Sequence, residues 1–490
     1  VALVAGVLLA LAFPQPGIAG LAWVAPGLLF LASLGLPAGP AFRVGWLAGM
    51  AHHLVALRWL THIPHSVGAY AAWLSLGAYC AVYLGLWSMY VSRWVRVSSE
   101  PTPTSSRGLP RSRPAFLSPF SGSLPGLATP VSDAPADSPV SGGTPAWGPW
   151  RQALGRYAST VWFRRAAIPA SLAAAWVALE WLRGWFLTGF PWNFLGVSQW
   201  RQVPLIQLAA VTGVYGVSFL VCWGSVALAG ALVVLVGRPV DRWSWLAETR
   251  LPLLAVLAAA GLGFYGVVQQ RRRESAAPAE TVRLALIQPS IPQTLLWDPD
   301  EGDEAFGVAY QLSRQALAFR PDVLVWPEGA FGLSPSNYAR VVALTRTAGV
   351  PWVFGAADEE TDAQGTRRAY NAAYLAGSEG RLGSVYHKRR LVIFGEYIPL
   401  ERWLPFLRLL TPISSGFDAG DRPVGFALGT NGPVASPVIC FEDLFPHGVR
   451  DHAGPGVDFL LELTNDAWFG RSSAQWQHAA NAAFRAVENG

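Results

Sequence analysis

Lysine is nearly absent: of 36 basic residues 35 are arginine, and Lys388 is the single lysine in the chain. Charge of either sign is scarce, at 14% of 490 residues, where an ordinary soluble domain carries roughly a quarter. That excludes an all-soluble enzyme. Cysteine stops at three, Cys80, Cys222 and Cys440, so no fully paired disulfide framework can exist. Cys80 and Cys222 lie inside long apolar runs and read as small buried hydrophobes. Hydrophobic residues, in contrast, make up 52%, with 23 Trp, 24 Phe and 13 Tyr, far more apolar surface than a disordered chain tolerates. The two halves differ in charge. Residues 1–280 carry 19 Arg against 8 acids and residues 281–490 carry 17 bases against 23 acids, net +11 and −6. The excess positive charge lies in loops of the apolar half, which argues against a folded basic face for nucleic acid.

A helical span needs about 20 mostly apolar residues to cross about 30 Å of hydrocarbon. Seven runs are candidates: Val1 to Phe13, Leu21 to Leu36, Phe42 to Leu57, Val67 to Val95, Ala167 to Leu187, Leu205 to Val236 and Leu251 to Val268. The first reads as clipped. Arginines crowd the connection between the fourth and fifth runs, and Arg238, Arg242 and Arg250 that between the sixth and seventh, which places both in the cytoplasm and everything after Val268 outside. Residues 1–95 then hold helices one to four, 96–160 a disordered cytoplasmic loop rich in Ser, Pro and Gly, 161–275 helices five to seven, and 281–490 an extracytoplasmic domain. Inside the fifth run Glu180 and Arg183 share one helical face. They read either as a functional site or as a self-neutralising structural pair. His62 and His65 have a spacing seen in zinc sites, but no second pair completes four ligands, so interfacial polar residues are the better reading and no metal is expected.

From Val282 onward, short β-branched runs alternate with helical stretches. Leu284–Gln288, Val323–Trp326, Trp352–Ala356, Ala372–Ala376, Val434–Ile439 and Phe459–Leu463 read as strands, Asp303–Phe319 and Tyr338–Thr347 as helices. An α/β sandwich follows, with function expected just past strand ends. Three ends carry unusual chemistry. Pro327 terminates a buried run and turns Glu328 out of the sheet, as a candidate general base or a plain capping carboxylate. Lys388, in Tyr386-His387-Lys388-Arg389-Arg390, is written as lysine where every other cation is arginine; either a compact ammonium is needed there or the lysine is a chance survivor. Cys440 ends an apolar strand and meets Glu442 and Asp443 at once, a setting for a nucleophile only if a base and a cation offset those acids.

Glu328 after a WPE turn, Lys388 in YHKRRL and Cys440 in ICFED, in that order, resemble the Glu-Lys-Cys triad of the nitrilase (carbon-nitrogen hydrolase) superfamily. IPQTLLWDP at 291–299, FGEYIPLE at 394–401, LTNDAWFG at 463–470 and EWLRGWFLTGFPWNFLG at 180–196 are similar to the apolipoprotein N-acyltransferase family within it, bacterial inner-membrane enzymes that add the third acyl chain to lipoproteins. The resemblance implies a multi-pass α-helical membrane domain plus a periplasmic nitrilase-like αββα sandwich, with eight transmembrane helices. Seven are visible here, so the catalytic domain reads as C-terminally truncated with the eighth helix missing. It implies a phospholipid acyl donor, a diacylglyceryl-apolipoprotein acceptor and no cofactor. It also implies that Glu328 is the base, Cys440 the nucleophile, and Lys388 with a backbone amide near Phe441 the oxyanion donors. Glu396 would orient Lys388 and Glu442 would be a further essential acid, while Trp297, Trp468 and Asn371 match positions around the acyl and headgroup pocket. For each Trp, plain core packing is the alternative. Ile393, where the family usually has Pro, and Phe441, where Tyr is common, depart from the pattern. The rival functions are a membrane-tethered amidase that lets water resolve the thioester, and a non-catalytic membrane scaffold.

Overall fold

The computed structural model describes residues 1–99, 148–237, 246–276, 281–291, 302–329, 335–361, 365–411, 413 and 416–490. Each of the seven apolar runs is helical: α1 (Ala2–Leu11), α2 (Ala25–Ser33), α3 (Ala38–Ala56), α4 (Ser66–Ser99), α6 (Trp162–Arg183), α8 (Ala209–Gly237) and α9 (Leu246–Ala276), with α5 (Gly148–Ser159) and α7 (Val203–Ile206) between them. Among the described residues three helical stretches are long and apolar enough to cross a membrane, Ser66–Arg93, Ala209–Val236 and Glu248–Arg273. At 10 and 9 residues α1 and α2 are too short to do so alone. The loop expected at 96–160 falls mostly outside the described residues, and its last part is the helix α5 rather than irregular chain.

Small residues let these helices approach closely. An ideal Cβ on Gly45 of α3 would stand 2.3 Å from the Leu84 carbonyl oxygen of α4, and one on Gly49 2.6 Å from Ala81 Cα. Larger residues at either position would force α3 and α4 apart. Glu180 and Arg183, read either as a functional site or as a structural pair, each have hydrogen-bond partners of their own. Glu180 accepts from Trp176 Nε1 at 2.9 Å and from the Leu195 amide at 2.6 Å, so it caps the turn after the fifth run. Arg183 faces His53 Nε2 at 3.3 Å and lies over the Phe194 ring. His62 and His65 serve local turns, with Trp59 O and the Gly68 amide respectively.

Among the described residues the second half holds two sheets. In the first, β1 (Leu284–Leu286), β2 (Val323–Val325) and β3 (Trp352–Thr361) are parallel, and β4 (Arg367–Ala376) and β5 (Leu382–His387) follow antiparallel. In the second, β6 (Phe426–Ala427) pairs antiparallel and β8 (Phe459–Leu463) parallel with the central β7 (Val434–Ile439). The period of two along each strand explains the layering. Val323, Val325, Val353, Ala373 and Leu375 face the second sheet's Ala435, Ile439, Leu461 and Leu463, whereas Leu324, Trp326, Trp352, Phe354 and Tyr374 pack under Phe306 and Val341. The latter pair come from α10 (Gly302–Leu317) and α11 (Pro335–Ala348). Both faces are apolar because both are covered, as parallel strands require. α12 (Pro446–His452) packs on β7, and α13 (Ala474–Asn489) packs on α12, on the turn after β7 and on α8, which completes an αββα order.

The halves meet in a shared core. Leu57, Trp59, Leu60 and Trp192 from the membrane side pack with Leu444, Phe445 and Ala474, and Phe190 and Phe441 join the edge.

Candidate active site

Glu328 stands three residues beyond the end of β2, after Pro327, which has no N–H to donate to the sheet. β3 passes so close that an ideal Cβ on Gly355 would sit 2.6 Å from Glu328 Cα, so only glycine allows the crossing. The carboxylate is held at both oxygens: Oε1 accepts from Lys388 Nζ at 3.1 Å and Asn371 Nδ2 at 2.7 Å, Oε2 from the Asn465 amide at 3.1 Å. Lys388 follows directly on β5 and is 1% exposed. Its Nζ also reaches Glu396 Oε1 at 2.9 Å. Burial alone would depress its pKa, but the two carboxylates hold the ammonium protonated well above the usual lysine range. Glu396 is fixed in turn by the Val392 amide on Oε2, at 2.8 Å.

Asn371, matched by resemblance to the substrate pocket, has its amide nitrogen between the two carboxylates, 2.7 Å from Glu328 and 2.6 Å from Glu396. Its two hydrogens serve one acceptor each. Asn371, Glu328, Lys388 and Glu396 therefore form one closed ring of charge-assisted hydrogen bonds.

Cys440 follows directly on β7 and opens a 3₁₀ turn with φ +50°, a left-handed backbone that a non-glycine residue adopts only under constraint. Burial and the Glu328 carboxylate push its thiol well above the ordinary range, against the opposing pull of Lys388 and His478. Both causes favour the thiol over the thiolate. Glu442 imposes the turn. It accepts from the Ile439 amide at 2.9 Å, the Arg389 and Arg390 amides at 2.7 and 3.1 Å, and Tyr386 Oη at 2.8 Å. One buried carboxylate thus ties the segment after Lys388 to the segment carrying Cys440. Burial raises its pKa in spite of these donors. Glu442→Ala leaves three backbone N–H groups without an acceptor, at about 1–3 kcal/mol each when buried, and leaves the Tyr386 hydroxyl only His452 Nε2 at 3.3 Å. Thermal unfolding in detergent should fall by at least about 3 kcal/mol, and a loss below about 1 kcal/mol would show that water replaces the carboxylate.

Two family models match this chain. Apolipoprotein N-acyltransferase N-terminal domain covers residues 5–120 and 143–227, and Carbon-nitrogen hydrolase covers 283–490. The apolipoprotein N-acyltransferase of Geobacter metallireducens is 33% identical over 496 residues, spanning 100% of this chain and 81% of its own length. Those of Rickettsia prowazekii and Brucella suis are 32% and 34% identical, over 64% and 65% of this chain and 61% and 60% of theirs. The chain belongs to the apolipoprotein N-acyltransferase family. It is an acyltransferase by that membership, and lipoprotein N-acylation is the function the membership supports.

Of the residues expected at the site, the structure gathers Glu328, Lys388, Glu396 and Asn371 in one network, with Glu442 bracing Cys440. Phe441 turns toward the membrane half, its ring stacked on Phe190 at 6.3 Å. Trp468 is half-buried in the 3₁₀ turn after β8, and Trp297 lies outside the described residues. Asn465, His478 and Asp466 were not anticipated. Among the described residues Asp358, Glu360 and His387 could group around a metal ion, but His387 is already bonded to Asp358 at 2.7 Å and stacked on Tyr370 at 4.0 Å.

Proposed function

We propose that this protein moves an acyl chain from a membrane phospholipid to the N-terminal α-amine of a diacylglyceryl-cysteine lipoprotein through a thioester on Cys440. The observation that carries the reading is the ring of Glu328, Lys388, Glu396 and Asn371, next to a cysteine at +50° whose neighbour packs on the membrane half. Glu328 accepts the Cys440 proton as sulfur attacks the sn-1 ester carbonyl. Lys388 and a backbone amide near Phe441 hold the oxyanion. Collapse breaks the ester C–O bond, the proton passes from Glu328 to the departing oxygen, and lysophospholipid leaves. The lipoprotein amine then attacks the thioester, Glu328 takes its proton, and the thiol is restored with an amide formed. Two half-reactions sharing one acyl-enzyme predict ping-pong kinetics.

The membrane half has a physical purpose on this reading. Both substrates are lipids, and withdrawing an acyl chain into water would cost about 0.8 kcal/mol per CH₂, so a site reached laterally from the bilayer avoids that step. Arginine placement supports a catalytic domain on the extracytoplasmic side of the bacterial inner membrane, with residues 1–95 and 161–275 as the embedded part and 281–490 as the catalytic part.

Intact mass after incubation with phospholipid alone tests the donor step. One added acyl chain, removed by hydroxylamine and absent in Cys440→Ala, is the expected result. No adduct together with no lysophospholipid would reject the phospholipid donor and leave an amidase as the next reading to test.

A further inference from the structure

Beside the ring of Glu328, Lys388, Glu396 and Asn371 lies a second buried charge cluster that this mechanism does not use. His478, on α13, is 4% exposed. Its Nδ1 faces Asp466 at 3.1 and 3.3 Å. Its Nε2 faces the Cys440 carbonyl oxygen at 3.2 Å and Asp443 Oδ1 at 3.0 Å. A carbonyl and a carboxylate accept only, so both ring nitrogens need a hydrogen, and a ring with both is an imidazolium. We infer that His478 is a positioning residue for Cys440: a cation clamped between Asp443 and Asp466 that donates to the nucleophile's own carbonyl, holds its left-handed backbone and faces the sulfur as a second positive charge beside Lys388.

The inference rests on Cys440 being the nucleophile, and three observations support it. The residue whose carbonyl His478 grips is one of few non-glycine residues at positive φ, and such a conformation persists only where surrounding contacts impose it. The charge balance agrees: burial would lower the His478 pKa, but Asp443 and Asp466 hold it well above the ordinary value. Cys440, pushed up by burial and Glu328, is pulled down by Lys388 and His478. The groups facing His478 are the carboxylates Asp443, Asp466 and Glu462, with the Trp192 ring from the membrane half at 5.6 Å; Arg485, further along α13, acts on Asp443. The neighbouring residue fixes the helix independently. Gln477 accepts from Trp59 and Trp192 at 3.2 and 2.7 Å and donates to the Pro14 and Ala56 carbonyls at 2.8 and 3.1 Å. The cation is thereby set against the membrane half by contacts separate from the turn it holds.

The test is the pH dependence of Cys440 alkylation by iodoacetamide, in which sulfur displaces iodide, in the full chain held in detergent. Cys80 and Cys222 are fully buried, and the Cys440 peptide is read by mass. His478→Gln removes the charge and should move the thiolate midpoint up by about one unit, so that alkylation at neutral pH slows about tenfold. His478→Lys keeps a cation and should return the midpoint toward that of the unaltered protein. Equal shifts in both variants, or none in either, overturn the inference. Should His478→Gln fail to fold, ring-labelled histidine in the unaltered protein decides: an imidazolium persisting at pH 8 supports the assignment, and a neutral ring there overturns it. None of these readouts needs a lipid. Failure of the acyl-transfer reading shows separately, as a Cys440 that alkylates normally yet never gains an acyl chain.

Discussion

Lys388→Arg should cut acyl transfer by about 10²- to 10³-fold, the size of effect seen when one oxyanion donor is lost, while keeping the formal charge. Arginine is accepted at every other cationic position of this chain, so charge alone cannot explain the lysine. The geometry does. Lys388 is 1% exposed, and its Nζ sits 3.1 and 2.9 Å from two carboxylates that Asn371 also joins. A compact ammonium has three donors on one point, two for Glu328 and Glu396 and one left for a developing oxyanion. A planar guanidinium would satisfy the carboxylates as a fork, fill the space and direct its remaining hydrogens elsewhere. The measurement is single-turnover thioester formation on Cys440 by intact mass. A rate within about threefold of the unaltered protein would make Lys388 a scaffold for the carboxylates instead.

How far the sequence discloses this site depends on where its parts lie along the chain. Glu328 and Cys440 follow buried strands whose β-branched and apolar runs are plain to see, and Lys388 is legible because it is alone among arginines. The strand before Lys388 is not legible. β5 contains Gly383 and Ser384 and alternates weakly, and its register, Ala372↔His387 and Ala373↔Tyr386, is set by β4 rather than by its own pattern. β3 and β4 likewise run beyond their apolar halves, to Thr361 and from Arg367, because charge takes over from burial: Glu359 pairs with Arg367 at 2.9 Å on an exposed ribbon.

Asn371 reads as one polar residue in an alanine-rich strand, and only the pairing of the sheet brings it between Glu328 and Glu396. His478 reads as a lone histidine on a helix, a residue type of intermediate burial that carries no signal by itself. The signal that could have singled it out is conditional: it matters only once Asp443, four residues past the end of β7, and Asp466, three past the end of β8, are known to converge on it. Long-range convergence of this kind is a property of the sheet topology, not of any local spacing. Phe441 shows the same limit. Its departure from the usual Tyr is explained by an apolar partner, Phe190, nearly the whole membrane half away in sequence.

Glu488→Ala should destabilise the protein by about 3–5 kcal/mol, the cost of stripping one partner from a buried ion pair. The long helix α8 is broken at Gly213, φ +66° and ψ −179°, so Val214 begins a new helical segment with an amide that has no partner four residues back. Glu488 Oε1, from α13 of the catalytic half, accepts that hydrogen at 2.7 Å. A carboxylate there also meets the positive end of the helix dipole. Arg485 neutralises it, with Nε 2.9 Å from Oε2 and an Nη 3.0 Å from Oε1, and both side chains are nearly fully buried. Removing Glu488 therefore leaves a buried guanidinium and an orphaned amide together, at the point where the catalytic helix meets a membrane helix. The comparison that identifies the cause is the double variant Arg485→Met with Glu488→Leu. Apolar replacement of both partners should restore most of the lost stability, measured as thermal unfolding in detergent, yet leave Val214 unpartnered. If the double variant is no more stable than Glu488→Ala, the unpartnered amide at the Gly213 break outweighs the buried charge, and the tie between the two halves is a helix cap before it is an ion pair.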